Sequence, residues 1–373
     1  MIKVFEPKIN LSDKFHILKN LQKNYISGTS PVIKEFEDKL SKKFDRKYSI
    51  CVSNGSVALE IAIKSLNLPK GSEIILPSFT IISCLSAVLT AGLKPIFCDV
   101  DINSWNMSIQ HIKKVITPNT SAVLMVHTYG LPCDASEIMN FCNNNNLKLI
   151  EDAAESHGLV VDGKPCGSFG DISTFSFYAN KHITTGEGGA ILTNSKESYE
   201  KIKLMINLDF SEPNRFNHEN FYWNYRLSGI QASLGVSQIN SLNKTIENKK
   251  IQGAFYNILF EELVKEKKIQ TPLNKFNGSD NNYWVYGILL NDDFSREQIR
   301  STLLENNIET RDFFWPLHKQ NAYIKQFGNY SQSLANSEYL GKNGFYIPLG
   351  KHLKKKDQEY IVQNIKKALD DKY

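Results

Sequence analysis

The stretch FSFYANKHITTGEGG, Phe175–Gly189, carries the reading of this chain. Ser173–Phe177 has the apolar and aromatic make-up of a buried strand, and Ala190–Thr193 reads as the next one. A single lysine, Lys181, stands between them in a polar loop that ends in Gly186, Gly188 and Gly189. Working outward, Tyr48–Ser53, Glu73–Pro77, Lys94–Val100, Ser121–Val126 and Lys148–Glu151 also read as short buried strands. Helical patterns over Val57–Leu66, Thr80–Ala91, Ile109–Ile116 and Ala135–Cys142 separate most of them. Strands alternating with helices predict an α/β fold with a mostly parallel, doubly wound sheet. Such sheets bind ligands beyond the carboxyl ends of their strands. Residues that follow a strand, Lys181 among them, therefore carry the most weight.

The tract Asn143–Asn146 reads as a helix stop and solvated turn, and Lys196–Asn207 as a surface helix. From Ser228 to Lys265 the spacing of Ile230, Leu234, Ile239, Leu242 and Ile246 predicts a long helix, weakened at Gly235 and Gly253 and bent or broken. It leads into a strand at Tyr283–Leu290, a helix at Ser295–Asn306, an aromatic loop at Asp312–His318 and a final amphipathic helix at Gln358–Leu369. The expected division is a large α/β domain over residues 1–240 and a smaller α+β domain over residues 241–373.

Composition narrows the function. The 373 residues are 41% hydrophobic and 22% charged, which is globular. A net charge of +5, spread along the chain, suits phosphorylated small molecules and forms no basic stripe for nucleic acid. The longest apolar run, Ile81–Leu89, contains Ser83 and Ser86 and falls short of the ~18 residues of a membrane span. The N-terminus is mixed and charged, unlike a signal peptide. Cys51, Cys84, Cys98, Cys133, Cys142 and Cys166 form no CxxC pair. Reduced thiols and a cytoplasmic protein without membrane, nucleic-acid or metal partners are expected.

Three motifs carry chemistry. Lysine forms a Schiff base with an aldehyde, but at its ordinary pKa of ~10.4 it needs desolvation or a nearby cation to act as nucleophile. A bound cofactor imine meets that need at Lys181. In Leu149-Ile-Glu-Asp152-Ala-Ala-Glu155, a strand delivers Asp152 to its carboxyl end. A carboxylate there can keep a pyridine nitrogen protonated, so that the ring accepts electrons from a carbanion. Glu155 is within reach of the ring hydroxyl; alternatively, Asp152 and Glu155 form a helix capping box. Ser53-Asn54-Gly55-Ser56 lies between a strand and a helix, where free N–H groups attract a phosphate. An ordinary helix cap is the competing reading. Ser176 is a further candidate phosphate donor.

Together these motifs resemble those of fold-type I, aspartate aminotransferase-like pyridoxal-phosphate enzymes. More narrowly, the chain resembles the DegT/DnrJ/EryC1/StrS sugar aminotransferases. Ser53–Ser56, Glu151–Ala154, Ser176–Gly189, Asn224-Tyr-Arg226 and Glu309–His318 follow that family's pattern in order. Within it, FYANKHITTGEGG is most similar to the perosamine-forming branch. The resemblance implies a large domain with a mostly parallel sheet and pyridoxal 5'-phosphate carried on Lys181, which also shuttles the substrate proton. It implies Asp152 at the ring nitrogen, Glu155 near the ring hydroxyl, and Gly55, Ser56 and Ser176 at the phosphate. Ile81 covers the ring, and Asn224 reaches the cofactor phosphate of a neighbouring subunit in a homodimer. Arg311 and His318 lie near substrate. The implied reaction moves an amino group from L-glutamate to a nucleotide-linked keto sugar, with C4 of GDP-4-keto-6-deoxymannose as the best match, for surface polysaccharide synthesis.

Ile81, His182 and Asp312 depart from the family, which places an aromatic residue, Asn or Thr, and proline there. A related group of dehydratases carries histidine at the lysine position. Counting back from Gly186–Gly189 places Lys181, not His182, at that position. A keto-sugar dehydratase, transfer to another keto sugar nucleotide or a small phosphorylated ketone, and a non-catalytic cofactor-binding regulator are the alternatives. His127 and His157 read as structural, and Phe221-Tyr-Trp-Asn-Tyr225 as an interface or substrate wall.

Overall fold

A computed structural model describes residues 1–370. At its centre is a seven-stranded sheet built from β1 (Tyr48–Val52), β2 (Glu73–Pro77), β3 (Lys94–Cys98), β4 (Thr120–Val126), β5 (Lys148–Asp152), β6 (Ile172–Ser176) and β7 (Gly189–Thr193). Their spatial order is β1-β7-β6-β5-β4-β2-β3. Strands β6, β5, β4, β2 and β3 pair in parallel. β7 runs antiparallel to both of its neighbours, β1 and β6. The mostly parallel sheet predicted from the sequence is therefore present, with strand ends shifted by one or two residues. Every residue of β2 and β7 is buried, as expected for strands covered on both faces.

Helices α3 (Gly55–Ser65) and α4 (Ile82–Thr90) contribute Leu59, Ile63, Leu85 and Val88 to one core layer. Helix α2 (Pro31–Lys43) supplies Phe36 and Leu40 to another, against Phe175, Phe177 and Val236. Helix α1 (Leu11–Gln22) has no hydrophobic signature pointing inward. It buries Asp13 and Asn20 while Leu11, Phe15 and Leu18 are exposed. Asp13 accepts hydrogen bonds from the Asn10 backbone and from Gln238 Nε2, at 2.8 and 2.7 Å.

The long helix breaks at Ser241 into Gly229–Asn240 and Leu242–Lys265. Its glycines serve close packing: a Cβ at Gly235 would meet the Phe36 ring at 2.5 Å, and one at Gly253 the Tyr283 ring at 2.7 Å. Beyond the break, Ile269–Gln270, Tyr286–Leu290, Gly344–Ile347 and Arg311–Asp312 form a four-stranded antiparallel sheet in that order. Its core includes Tyr256, Phe260, Ile288, Phe345, Ile361 and Ile365. The strand expected from Tyr283 starts only at Tyr286, because Tyr283 has φ 48° and donates its N–H to Asn281 Oδ1. Two segments cross between the units: Ile2 bridges to Ile308, and Leu317 and Leu334 pack in the core beneath α3 and α4.

Beside the end of β5, Glu151 is fully buried. It accepts the N–H groups of Gly167, Phe169 and Gly170 (2.5, 2.8 and 3.0 Å), the Ser173 hydroxyl (3.0 Å) and His127 Nε2–H (3.0 Å). Arg46 lies 3.9 Å away. Burial alone would raise its pKa, but His127, Arg46 and these donors hold it at about 2. Cys166 lies within 4.8 Å of His127 and Glu151, yet the carboxylate oxygens are already taken by these donors. Because the folded pKa is depressed, this stabilisation is complete above the ordinary value near 4.5 and is lost as pH falls toward 2. Glu151→Gln is expected to lower the unfolding free energy by about 3 kcal/mol at pH 7. It should also flatten the acid dependence of stability below pH ~4.5. Denaturant unfolding of both proteins across pH checks this; a variant as stable as wild type would contradict it.

Candidate active site

The carboxyl ends of β5 and β6, the starts of α3 and α4, and the small sheet enclose a cavity of about 640 Å³. Its lining includes eight of the ten expected site residues: Gly55, Ser56, Ile81, Asp152, Glu155, Ser176, Lys181 and Arg311. Asp152 is the last residue of β5, and Ser176 the last of the adjacent parallel β6, so both emerge at the same edge.

Lys181 Nζ lies 3.4 Å from Glu155 Oε1 and 3.7 Å from the centre of the Trp284 ring. Burial lowers the pKa of this amine, and the charges of Glu155 and Asp152 offset only part of the shift. Burial raises the pKa of Asp152, against the Ala154 N–H at 3.0 Å and the charge of Lys181. The Cys84 thiol donates to Asp152 Oδ2 at 3.5 Å. Burial also pushes Glu155 up to about 7, against Lys181 and the Tyr129 N–H, which donates to Oε2 at 2.9 Å. An amine with weakened hold on its proton is suited to attack a carbonyl at neutral pH.

At the other end of the cavity, Asn54 caps α3 by accepting the Val57 N–H at 2.9 Å. A Cβ at Gly55 would stand 2.8 Å from Ser176 Cβ, so glycine lets the helix start approach the end of β6. Ser56 Oγ lies 2.7 Å from Ser83 Oγ on α4. Hydroxyls gathered around a helix N-terminus form an anion site. The cavity thus offers a phosphate cradle, a buried carboxylate and a buried amine. Pyridoxal phosphate carries the matching groups: a phosphate, a ring nitrogen and an aldehyde. The residues present fit that cofactor.

Ile81 is the residue before α4, partly exposed at the cavity edge. Arg311 faces the cavity and pairs with Glu309 at 2.9 Å. Asp312, which departs from the family's proline, instead pairs with Arg300 and with Arg296. His182 turns from the cavity and contacts the Asn282 carbonyl at 3.0 Å, so Lys181 is the residue that enters.

Two expected residues lie outside this lining. His318, expected near substrate, lies in the aromatic loop behind this lining. Its Nδ1 contacts the Ser78 hydroxyl at 2.6 Å and its Nε2 contacts Glu338 at 3.1 Å. Buried and engaged at both nitrogens, it anchors the aromatic loop to the end of β2. Asn224 is exposed, with Oδ1 accepting the Arg226 N–H at 3.3 Å, beside exposed Phe221 and Trp223. Reading the sequence also missed Trp284, Ser83, Cys84, Tyr129, Phe314 and Tyr346 around the site. Ser83 and Cys84 carried the one usable signal, since both fall in the first turn of a helix that follows a parallel strand.

The DegT/DnrJ/EryC1/StrS aminotransferase family matches residues 10–366. The chain belongs to this family. It is accordingly a pyridoxal-phosphate-dependent aminotransferase. GDP-perosamine synthase of Escherichia coli O157:H7 is 34% identical over 371 residues, covering 100% of this chain and 99% of that protein. The protein of that name from Vibrio cholerae is 33% identical, covering 85% and 86%. Among solved structures, an aminotransferase from Psychrobacter cryohalolentis is 24% identical with a TM-score of 0.90, covering 98% of each chain.

Two variants probe the site. Gly55→Val places a side chain against Ser176 and is expected to weaken pyridoxal-phosphate affinity by about 1–3 kcal/mol through overpacking; equilibrium titration of the apoenzyme measures it. Above pH ~7 Glu155 is charged and raises the pKa of Lys181, so Glu155→Gln should shift the pH midpoint of lysine–cofactor linkage to lower pH. A midpoint that rises would contradict the assigned electrostatics.

Proposed function

We propose that this aminotransferase moves an amino group from L-glutamate to a nucleotide-linked keto sugar, with C4 of GDP-4-keto-6-deoxymannose as acceptor. The observation that carries the acceptor is the identity of about a third with two GDP-perosamine synthases, nearly end to end with one of them. Bound pyridoxal phosphate supplies an aldehyde to hold the amino group and a ring that accepts electrons from the substrate carbon.

The chain's own residues do the rest. Lys181 holds the cofactor and, once displaced, its amine takes and returns the substrate proton. Asp152, with one oxygen on the Ala154 N–H and the other toward the Cys84 thiol, holds the proton on the ring nitrogen. Glu155 sits where it accepts a proton from the amine or the ring hydroxyl. The start of α3, with Ser56 and Ser176, binds the phosphate. Trp284, Phe314 and Tyr346 form an apolar wall that excludes water, and Arg311 offers a cation to the acceptor's phosphates. Exposed Asn224, with Phe221 and Trp223, suits a second copy of the chain that completes the phosphate site in a homodimer. We assign the protein to the cytoplasm, where nucleotide sugars are made, and its product to surface polysaccharide synthesis. Residues 1–240 and 241–373 serve as the cofactor and small domains of this reading.

The test is incubation with glutamate and a panel of GDP-, UDP- and dTDP-linked 4-keto sugars, with products identified by NMR. The expected product is the GDP-linked 4-amino sugar, formed through many turnovers. Lys181→Ala should lose multiple turnover. A deoxy sugar with free ammonia would favour dehydration instead, and preference for a dTDP or UDP sugar would overturn the acceptor.

A further inference from the structure

A second, smaller cavity of about 60 Å³ also touches the Lys181 loop, with Asn180, His182 and Lys249 in its lining. Lys249 lies on the helix Leu242–Lys265 and is buried. Among the described residues no carboxylate forms an ion pair with it, and burial together with the charge of Lys181 brings its pKa down to about 7. A buried amine without a counter-charge is unfavourable, so the hydrogen bond it makes is informative. Lys249 Nζ donates to the Trp284 carbonyl at 2.7 Å. Trp284 is the residue whose ring covers the Lys181 amine at 3.7 Å.

The indole itself has no polar anchor. Its Nε1–H is buried and has no hydrogen-bond partner among the described residues. Packing against Phe314 and Tyr129 limits the ring, but its place along the cavity depends on the backbone that carries it. That backbone is held at several points. Asn282 donates its N–H to the Gly130 carbonyl at 2.8 Å and its side-chain amide to the His157 carbonyl at 3.0 Å. His182 contacts the Asn282 carbonyl at 3.0 Å. Lys249 is the anchor at Trp284 itself.

We propose that Lys249 is a positioning residue for the aminotransferase site, its hydrogen bond to the Trp284 carbonyl holding the indole against the Lys181 amine. The helix that opens the small domain thereby sets the surroundings of an amine delivered by the large one. The proposal rests on Lys181 as the cofactor-bearing amine, and its effect falls on cofactor capture rather than on the sugar acceptor.

The test reconstitutes apoenzyme with pyridoxal phosphate and follows formation of the lysine linkage by stopped-flow absorbance. Visible circular dichroism of the bound chromophore reports its surroundings, and thermal unfolding reports the fold. Lys249→Met is expected to slow linkage formation about tenfold, since small misplacement of a reacting group is costly, and to weaken the dichroic band. Trp284→Phe should do the same. Because the two act in series, the double variant should be no slower than the slower single one. Lys249→Arg, which keeps a donor, should recover most of the rate. If the Met variant fails to fold, Lys249→Leu, which also removes the donor, takes its place with the same expectations. Wild-type rate and dichroism in either variant, or losses that multiply in the double, would overturn the proposal. A wild-type apoenzyme that forms no linkage would instead sink the Lys181 reading beneath it.

Discussion

A lysine amine buried beside two carboxylates and under an indole is the constraint that organises this protein. Buried alone, the Lys181 amine would lose its proton readily; beside Glu155 and Asp152 it keeps part of its hold. That balance leaves it protonatable yet nucleophilic, which is what a cofactor-bearing lysine needs. Three separate parts of the chain must meet to set it: the end of β5, the loop between β6 and β7, and the turn before Tyr286–Leu290.

The parallel sheet makes the meeting possible. Strands β5 and β6 run side by side in the same direction, with Asp152 opposite Thr174, so their carboxyl ends open into one cavity. The alternation of a strand then divides the labour of neighbouring acids. Glu151 points one way and is saturated by the 167–170 loop, Ser173 and His127; Asp152 points the other way, into the cavity. One carboxylate fixes the frame, and its neighbour is left free for chemistry. The glycine at 55 lets the positive end of α3 close against the same edge.

Much of this is legible in the sequence because buried parallel strands and the residues after them leave strong local patterns. All seven strands of the large sheet and the cluster of Gly55, Ser56, Asp152, Glu155, Ser176 and Lys181 can be read that way. What escapes is what depends on distant partners. Helix α1 buries Asp13 against Gln238 and exposes its leucines, so hydrophobic periodicity points to the wrong face. Trp284 precedes a strand of the four-stranded sheet, and nothing local says that its ring crosses to Lys181. His318 falls in a family-like motif, yet Ser78 and Glu338, far away in sequence or on another helix, take both its nitrogens. The long helix is bent or broken as its sequence suggests, but the break falls at Ser241 rather than at Gly235 or Gly253, and no local pattern marks that position.

Covalent trapping tests the centre of this account most directly. Holoenzyme reduced with borohydride, digested and mapped by mass spectrometry should carry the pyridoxyl label on the peptide containing Lys181, and on that residue alone. A label on any other lysine, Lys249 included, or none on protein that retains its cofactor, would contradict it.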